Sequence, residues 1–221
     1  MYSRAEIEEE FIALSNIHRL VKRLRNLCDD ESVLDIIASR SYRHPNGFDK
    51  IVLKYHGKGL PSLRLHIWWN ATQDVNDVHN HPWDFKSSVI SGAIENRVFV
   101  TRKSKPASHA GDIYNHYKIH HSKLYGIKEV VFVDKCELQE TVLSRYESGQ
   151  SYFQRSNTVH TVSPISKSGV CSTLVLQDLF INNQCDIFTA TEFSKKEVNL
   201  FTQSEVKAIL LKYADYLCSI S

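Results

Sequence analysis

Several things this chain lacks narrow its reading before any residue is singled out. Its five cysteines, Cys28, Cys136, Cys171, Cys185 and Cys218, are an odd set with no Cys-x-x-Cys spacing. That excludes a disulfide framework and a zinc finger, and leaves reduced thiols as the plain reading. No run of about twenty apolar residues is present, which excludes a transmembrane helix. The start, Met1-Tyr2-Ser3-Arg4-Ala5-Glu6, leads into acidic residues, so no signal peptide is expected and a cytoplasmic location is. Charge of one sign is lacking too: 27 basic residues stand against 25 acidic ones, a net +2. Such a balance gives no reason to expect nucleic acid or an anionic membrane as a partner. Low-complexity linkers are missing as well.

What is present fits one domain with appended helices: 221 residues, 42% hydrophobic and 24% charged. Ile7, Phe11, Leu14, Ile17, Leu20, Val21 and Leu24 recur at helical spacing and predict one amphipathic helix over residues 4 to 28. Its basic face (His18, Arg19, Lys22, Arg23, Arg25) reads as solvated. Ser32 is expected to cap a short helix from Val33 to Ser39. Arg40 to Phe48 is rich in turn residues, with Pro45-Asn46-Gly47 the clearest stop. Strand periodicity follows over Lys50–Tyr55, Ser62–Trp69, Val75–His79, Lys86–Ser91 and Ala93–Thr101.

Residues 102 to 126 break that pattern and read as a long inserted loop. Only if they were helical would Asp112, His116 and His120 share a face as a second metal site. Strands resume over Glu129–Asp134, Glu137–Tyr146, Ser151–Gln154, Val159–Ser163 and Cys171–Gln177, with Ser166 to Gly169 as a hairpin turn. Thr202-Gln203-Ser204-Glu205 is a capping box. It opens a helix with Val206, Ile209, Leu210, Tyr213 and Leu217 on one stripe. About ten short strands without alternating helices predict an all-β core. The divisions expected are a helical flank over 1–48, a barrel over 49–190, and a C-terminal helix packed on it over 191–221.

Two stretches carry chemistry. Val78-His79-Asn80-His81-Pro82-Trp83-Asp84-Phe85 places His79 and His81 two residues apart, so on a strand both imidazoles point one way and can share a metal ion. Gly92 offers a turn or bulge after the next strand. Later, Gly149-Gln150-Ser151-Tyr152-Phe153-Gln154 leads through a polar turn, Arg155-Ser156-Asn157, to a third histidine, His160.

Together these stretches resemble the cupin superfamily over roughly residues 50 to 180. Counting back from Gly92, His79 and His81 fall on the two histidines of its first motif, while Gln73 replaces the glycine and Phe85 the glutamate. In its second motif Gly149 and His160 match, and Arg155, Asn157 and Pro164 replace the Pro, Gly and Asn. The resemblance implies a cupin or jelly-roll barrel with His79, His81 and His160 as metal ligands. Three imidazoles without a carboxylate are similar to the ferrous site of the cysteine dioxygenase-type thiol dioxygenases. The strand Leu63-Arg64-Leu65-His66-Ile67-Trp68 is also similar to theirs. Neither partner of their cysteinyl-tyrosine crosslink is found: no Cys follows His81 closely, and Leu174-Val175-Leu176-Gln177 holds no Tyr. In those enzymes an early-strand cation holds the substrate carboxylate, which points by position to Lys50 or Lys54.

Fe(II) is therefore the first choice of metal, with zinc, nickel and manganese open, since availability selects among them as much as ligand type does. Asp84 faces away by alternation and is expected to support a ligand or the strand from behind; a bulge at Pro82 would instead make it a fourth ligand. Trp83 and Phe85 either wall the cavity or are ordinary core aromatics. One of the sets Arg64/His66/Trp68 and Leu63/Leu65/Ile67 faces inward. An apolar interior is the default and would put His66 outside. If the polar set faces in, Arg64 is placed to clamp a substrate carboxylate. Arg97, Tyr152 and Arg155 are further candidates for substrate contact. The leading function is an iron-dependent oxygenase taking O2 and a small polar molecule, such as an amino acid or thiol. The alternatives are an isomerase or lyase with a histidine base, and a ligand-binding barrel without catalysis. Cupins often pair through their sheets, so a homodimer is part of what the resemblance implies.

Overall fold

The apolar stripe at the start of the chain forms two helices where its spacing predicts one. In the computed structural model, which describes residues 4–57, 60–71, 77–103, 112–122, 126–194 and 197–221, α1 (Arg4–Leu14) ends before Asn16. Asn16 then caps α2 (Ile17–Cys28) by accepting from the Arg19 N–H at 3.2 Å. An Asn side chain that bonds the backbone three residues on competes with continued helix, and here it wins. The third helix, α3 (Glu31–Ala38), is capped by Asp30 and not by Ser32: its Oδ1 accepts from the N–H groups of Ser32 and Val33. Helix α4 (Gln203–Ile220) begins at the predicted capping box. Thr202 Oγ1 accepts from the Glu205 N–H, and the Glu205 carboxylate accepts from the Thr202 N–H at 2.7 Å.

Twelve strands lie among the described residues: β1 (Tyr42–Arg43), β2 (Asp49–Tyr55), β3 (Ser62–Trp68), β4 (Val78–His79), β5 (Trp83–Ser91), β6 (Ala93–Lys103), β7 (Ile113–Ser122), β8 (Gly126–Glu147), β9 (Ser151–Gln154), β10 (Val159–Ile165), β11 (Cys171–Phe180) and β12 (Gln184–Thr189). They form two antiparallel sheets. One runs β1-β2-β3-β11-β5-β9; the other, β10-β4-β12-β7-β8-β6, closes on itself through β6 and β10. The core is thus all β, of the jelly-roll kind, with helices flanking it.

Three expectations about strands are corrected. The segment 102–126 is not one long loop, because it contains β7; only 104–111 (with His109) and 123–125 lie outside the described residues. The strands expected over Glu129–Asp134 and Glu137–Tyr146 are one, β8. Its first half pairs with β7 and its second with β6, so no turn is needed near Lys135. The turn Ser166 to Gly169 does not close a hairpin, since β10 pairs with β4 and β6 while β11 pairs with β3 and β5; it crosses between sheets. Strands β1 and β12 had no apolar alternation to announce them. Gln73, and Val75 and Asn76 of the expected strand Val75–His79, lie outside the described residues; Val78 and His79 form β4.

The largest apolar cluster sits outside the barrel. Leu63, Leu65 and Ile67 of β3, with Ile51, Leu174 and Leu176, pack under Leu20 and Leu24 of α2, Leu34 and Ile37 of α3, and Leu210, Tyr213 and Leu217 of α4. Because the helices cover this sheet's outer face, the apolar set of β3 points outward to them. The default of an apolar interior is overturned here, and Arg64, His66 and Trp68 face the space between the sheets.

Gly92 joins β5 to β6 at φ +74°, where a Cβ would lie 2.7 Å from the Ile165 carbonyl oxygen. Gly92→Ala is expected to cost about 1–3 kcal/mol in urea unfolding, from the left-handed backbone and that clash. An unchanged midpoint would show that the turn relaxes freely.

Candidate metal centre

The His-x-His pair does not lie on one strand, as its alternation suggests. His79 ends β4, but His81 sits in irregular chain before Pro82, and β5 starts at Trp83. Asn80 holds this bend. Its side chain makes two bonds to Asp186, donating to Oδ2 at 2.8 Å and accepting from the backbone N–H at 2.7 Å. His160 pairs directly with His79 across β10 and β4, so topology brings the third imidazole to the first two. A second tie joins these segments: the His81 N–H donates to the Ser156 carbonyl at 3.0 Å, and the Ser156 N–H donates to Asp84 Oδ1 at 2.7 Å. Asp84 thus fastens the turn before β10 to the start of β5, and it is not a fourth ligand in the histidine cluster.

One nitrogen from each of His79, His81 and His160 lies within 4.8 Å of the others. The Nε2 atoms of His81 and His160 are 3.2 Å apart. Nitrogens bound to one ion at about 2.1 Å, ninety degrees or a little more apart, sit about 3.0–3.4 Å from each other. The His81–His160 pair is therefore spaced to share an ion, with a His79 nitrogen within 4.8 Å of both. The far side of two rings is already committed. His79 Nδ1 donates to the Asp77 carbonyl at 2.9 Å, which fixes that proton because a carbonyl only accepts. His160 Nδ1 donates to Asn96 Oδ1 at 2.9 Å, and Asn96 in turn donates to Gln154 Oε1 at 3.0 Å. Both bonds leave Nε2 as the free lone pair and orient the ring, as outer partners do in metal sites. Phe85, where a carboxylate ligand would stand, lies edge-on to His81, ring centroids 5.2 Å apart.

Burial keeps the imidazoles neutral. It takes His81 well below the usual histidine value, helped by the nearby histidines and Arg64, and lowers His79. His160 falls to about 3, through burial and then His79. An unfolded histidine titrates near 6.5. Between pH 6.5 and 3 the unfolded chain therefore binds a proton at His160 that the folded chain does not, so stability falls as pH falls. Metal-depleted protein is expected to lose about 1.4 kcal/mol per pH unit below about 6.5 from this residue alone. Urea midpoints for wild type and His160→Gln check it: equal slopes against pH would disprove the neutral buried ring.

The three histidines share the wall of a cavity of about 290 Å³ between the sheets. Of the residues expected to touch substrate, it brings together Arg64, His66, Trp83 and Tyr152, with Phe85 beside them. Arg97 is not among them. Asn96 faces His160, so its neighbour must face away, and Arg97 pairs instead with Glu95 and Glu140 outside. Arg155 is exposed in the turn and takes no part. Lys50 lines the cavity, while Lys54 pairs with Glu10 elsewhere. Burial pushes the Tyr152 phenol up to about 12, so it stays protonated.

Several supporting residues escaped the motif reading. Asp186, which holds Asn80, is itself bonded through Oδ1 to His116 Nε2 at 2.8 Å, and His116 Nδ1 reaches Asp134 at 3.1 Å. His116 and His120 are on strand β7, so the helical second metal site with Asp112 is not formed. At the same cavity His121 Nε2 lies 3.3 Å from the Cys185 sulfur, whose thiol burial raises to about 12.

No family model matches this chain, and no curated protein does. Among solved structures it is similar to hydroxypropylphosphonic acid epoxidase from S. wedmorenis at 8% identity and TM-score 0.37, covering 62% of this chain and 53% of that one. A crystal structure of FeII HppE matches at 10% identity and TM-score 0.35, over 59% and 49% of the two chains. The chain thus spans about half the length of these enzymes. The CENP-C domain of Drosophila melanogaster bound to CAL1 matches at 10% identity and TM-score 0.34, over 66% and 90%. At these scores no likeness bears on what the chain binds.

Proposed function

We propose that this chain is a metal-dependent oxygenase of the cupin type, holding Fe(II) through His79, His81 and His160 and acting on a small polar molecule with O2. The observation that carries the reading is three neutral, oriented imidazoles converging on the wall of a cavity. With Phe85 in place of a carboxylate, the ligand set leaves the metal its full +2 charge, which favours an anionic substrate group beside it. Ferrous iron, when bound, supplies a centre at which O2 and substrate can react side by side. The protein's part is to place and shield them. Trp83 and Phe85 exclude water beside His81, Arg64 orients an anionic group, and the protonated Tyr152 phenol offers a hydrogen bond.

An amino acid or thiol substrate, as in the thiol dioxygenases, is the narrower form of this reading. Five unpaired cysteines suit a reducing cytoplasm. No described helix is long and apolar enough to cross a membrane; nucleic acid and membrane are not among the partners proposed, and a pair of copies is. The test is elemental analysis of protein purified without chelators, then O2 uptake by Fe(II)-loaded protein with amino acids and thiols. Near-stoichiometric metal with substrate-dependent uptake supports the reading. Failure to hold metal after anaerobic Fe(II) loading sinks it.

A further inference from the structure

Strands β1, β2 and β3 give the cavity a wall of a different character from the histidine cluster. Lys50 stands opposite Tyr42 in the β1–β2 register and opposite His66 in the β2–β3 register. Arg64 is two residues from His66 on the same face, and all of these residues line the cavity. Two part-buried cations therefore share one patch. Among the described residues no carboxylate forms an ion pair with either: Lys50 donates to the Tyr42 hydroxyl at 2.9 Å, while Arg64 Nε donates to Ser62 Oγ at 3.0 Å and its guanidinium lies over the Trp83 ring. An ammonium has three N–H donors and a guanidinium five, so most are uncommitted.

Two more polar atoms on this wall have no hydrogen-bond partner among the described residues. The Trp68 indole N–H is buried without an acceptor, in a residue only 3% exposed, and His66 Nε2 is buried without a partner. The described acids of the cavity are Asp77 and Asp186, and the Asp186 carboxylate is already held by Asn80 and His116.

We infer that Lys50 and Arg64 form a site for a compact dianionic group, a phosphate or phosphonate or a short dicarboxylate, carried by the substrate. The inference rests on reading this cavity as the substrate site. One carboxylate would satisfy the Arg64 fork and leave Lys50 beside it with its charge unanswered; a second negative charge answers both. Burial, with Arg64 adding to it, takes Lys50 well below the usual lysine value, so a bound dianion also keeps this ammonium charged.

The experiment is calorimetric titration of metal-depleted and of anaerobic Fe(II)-loaded protein with inorganic phosphate, methylphosphonate, succinate and acetate, at a mildly alkaline pH where the phosphorus oxyanions are dianions, and at fixed ionic strength. Dianions are expected to bind metal-depleted protein at least about tenfold more tightly than acetate. Lys50→Met should erase that preference, and Lys50→Arg should keep it. Far-UV circular dichroism on both variants checks folding. If Lys50→Met fails to fold, loss of the preference on raising salt in wild type takes its place. Phosphate over succinate identifies a phosphorus oxyanion; the reverse identifies a dicarboxylate. Acetate binding as tightly as the dianions, or no anion binding at all, overturns the site. A dianion preference in protein that never holds metal keeps the site and removes the oxygenase reading. Metal binding without the preference does the opposite.

Discussion

His160→Ala is expected to weaken metal binding by more than about 100-fold, beyond the range for loss of an outer partner, because it removes one of only three donors. Asn96→Ala is the sharper companion. It leaves all three imidazoles but takes away the oxygen that fixes His160's proton and ring angle, and about a 10- to 100-fold loss is expected. Competition against a chromophoric chelator measures both. The visible spectrum of a Co(II) form adds a readout that mere loss of stability does not move: bands should shift in Asn96→Ala at full occupancy. If His160→Ala binds metal as wild type does, the centre is not where the three nitrogens converge.

The second large effect separates the two faces of β3. Leu65→Ala is expected to cost about 2–5 kcal/mol in urea unfolding, because Leu65 is wholly buried beneath the helices. Metal affinity should be untouched. Arg64→Met, one residue away, is expected to leave stability equal or higher, since replacing a part-buried cation that has no carboxylate partner among the described residues with an apolar chain removes a desolvation cost. An opposite pattern, Leu65 tolerant and Arg64 essential for folding, would reverse the assignment of the strand's faces.

That strand marks where the sequence stops being legible. His79, His81 and His160 could be found because their cue is local: residue type, short spacing and turn residues. The faces of β3 could not, because both of its alternating sets are plausible interiors. What decides is the helical cover built from the two ends of the chain. Arg97 was misplaced for a related reason: Asn96 must face in to hold His160, and no pattern announces that pairing. Arg155, placed in a turn by the sequence and found there, is exposed, because nothing in the sequence says which way a turn residue faces. Asp186 and His116 were hidden in strands whose polar residues give no alternation, and only tertiary pairing makes them strands. The all-β core and the capping box at Thr202 were readable, since each rests on contacts between near neighbours.

The meeting of α2 and α4 has a kinetic consequence. Helices are usually the fast, local part of folding, yet α4 docks on α2 through contacts such as Arg25 with Asp215, 190 positions apart. Non-local closure of this kind slows folding. Before the helices assemble over it, the strip Leu63, Leu65 and Ile67 stands uncovered on a nascent chain. Chaperone dependence during synthesis, and a slow last refolding phase reported by burial of Tyr213, are the marks such an order of assembly leaves.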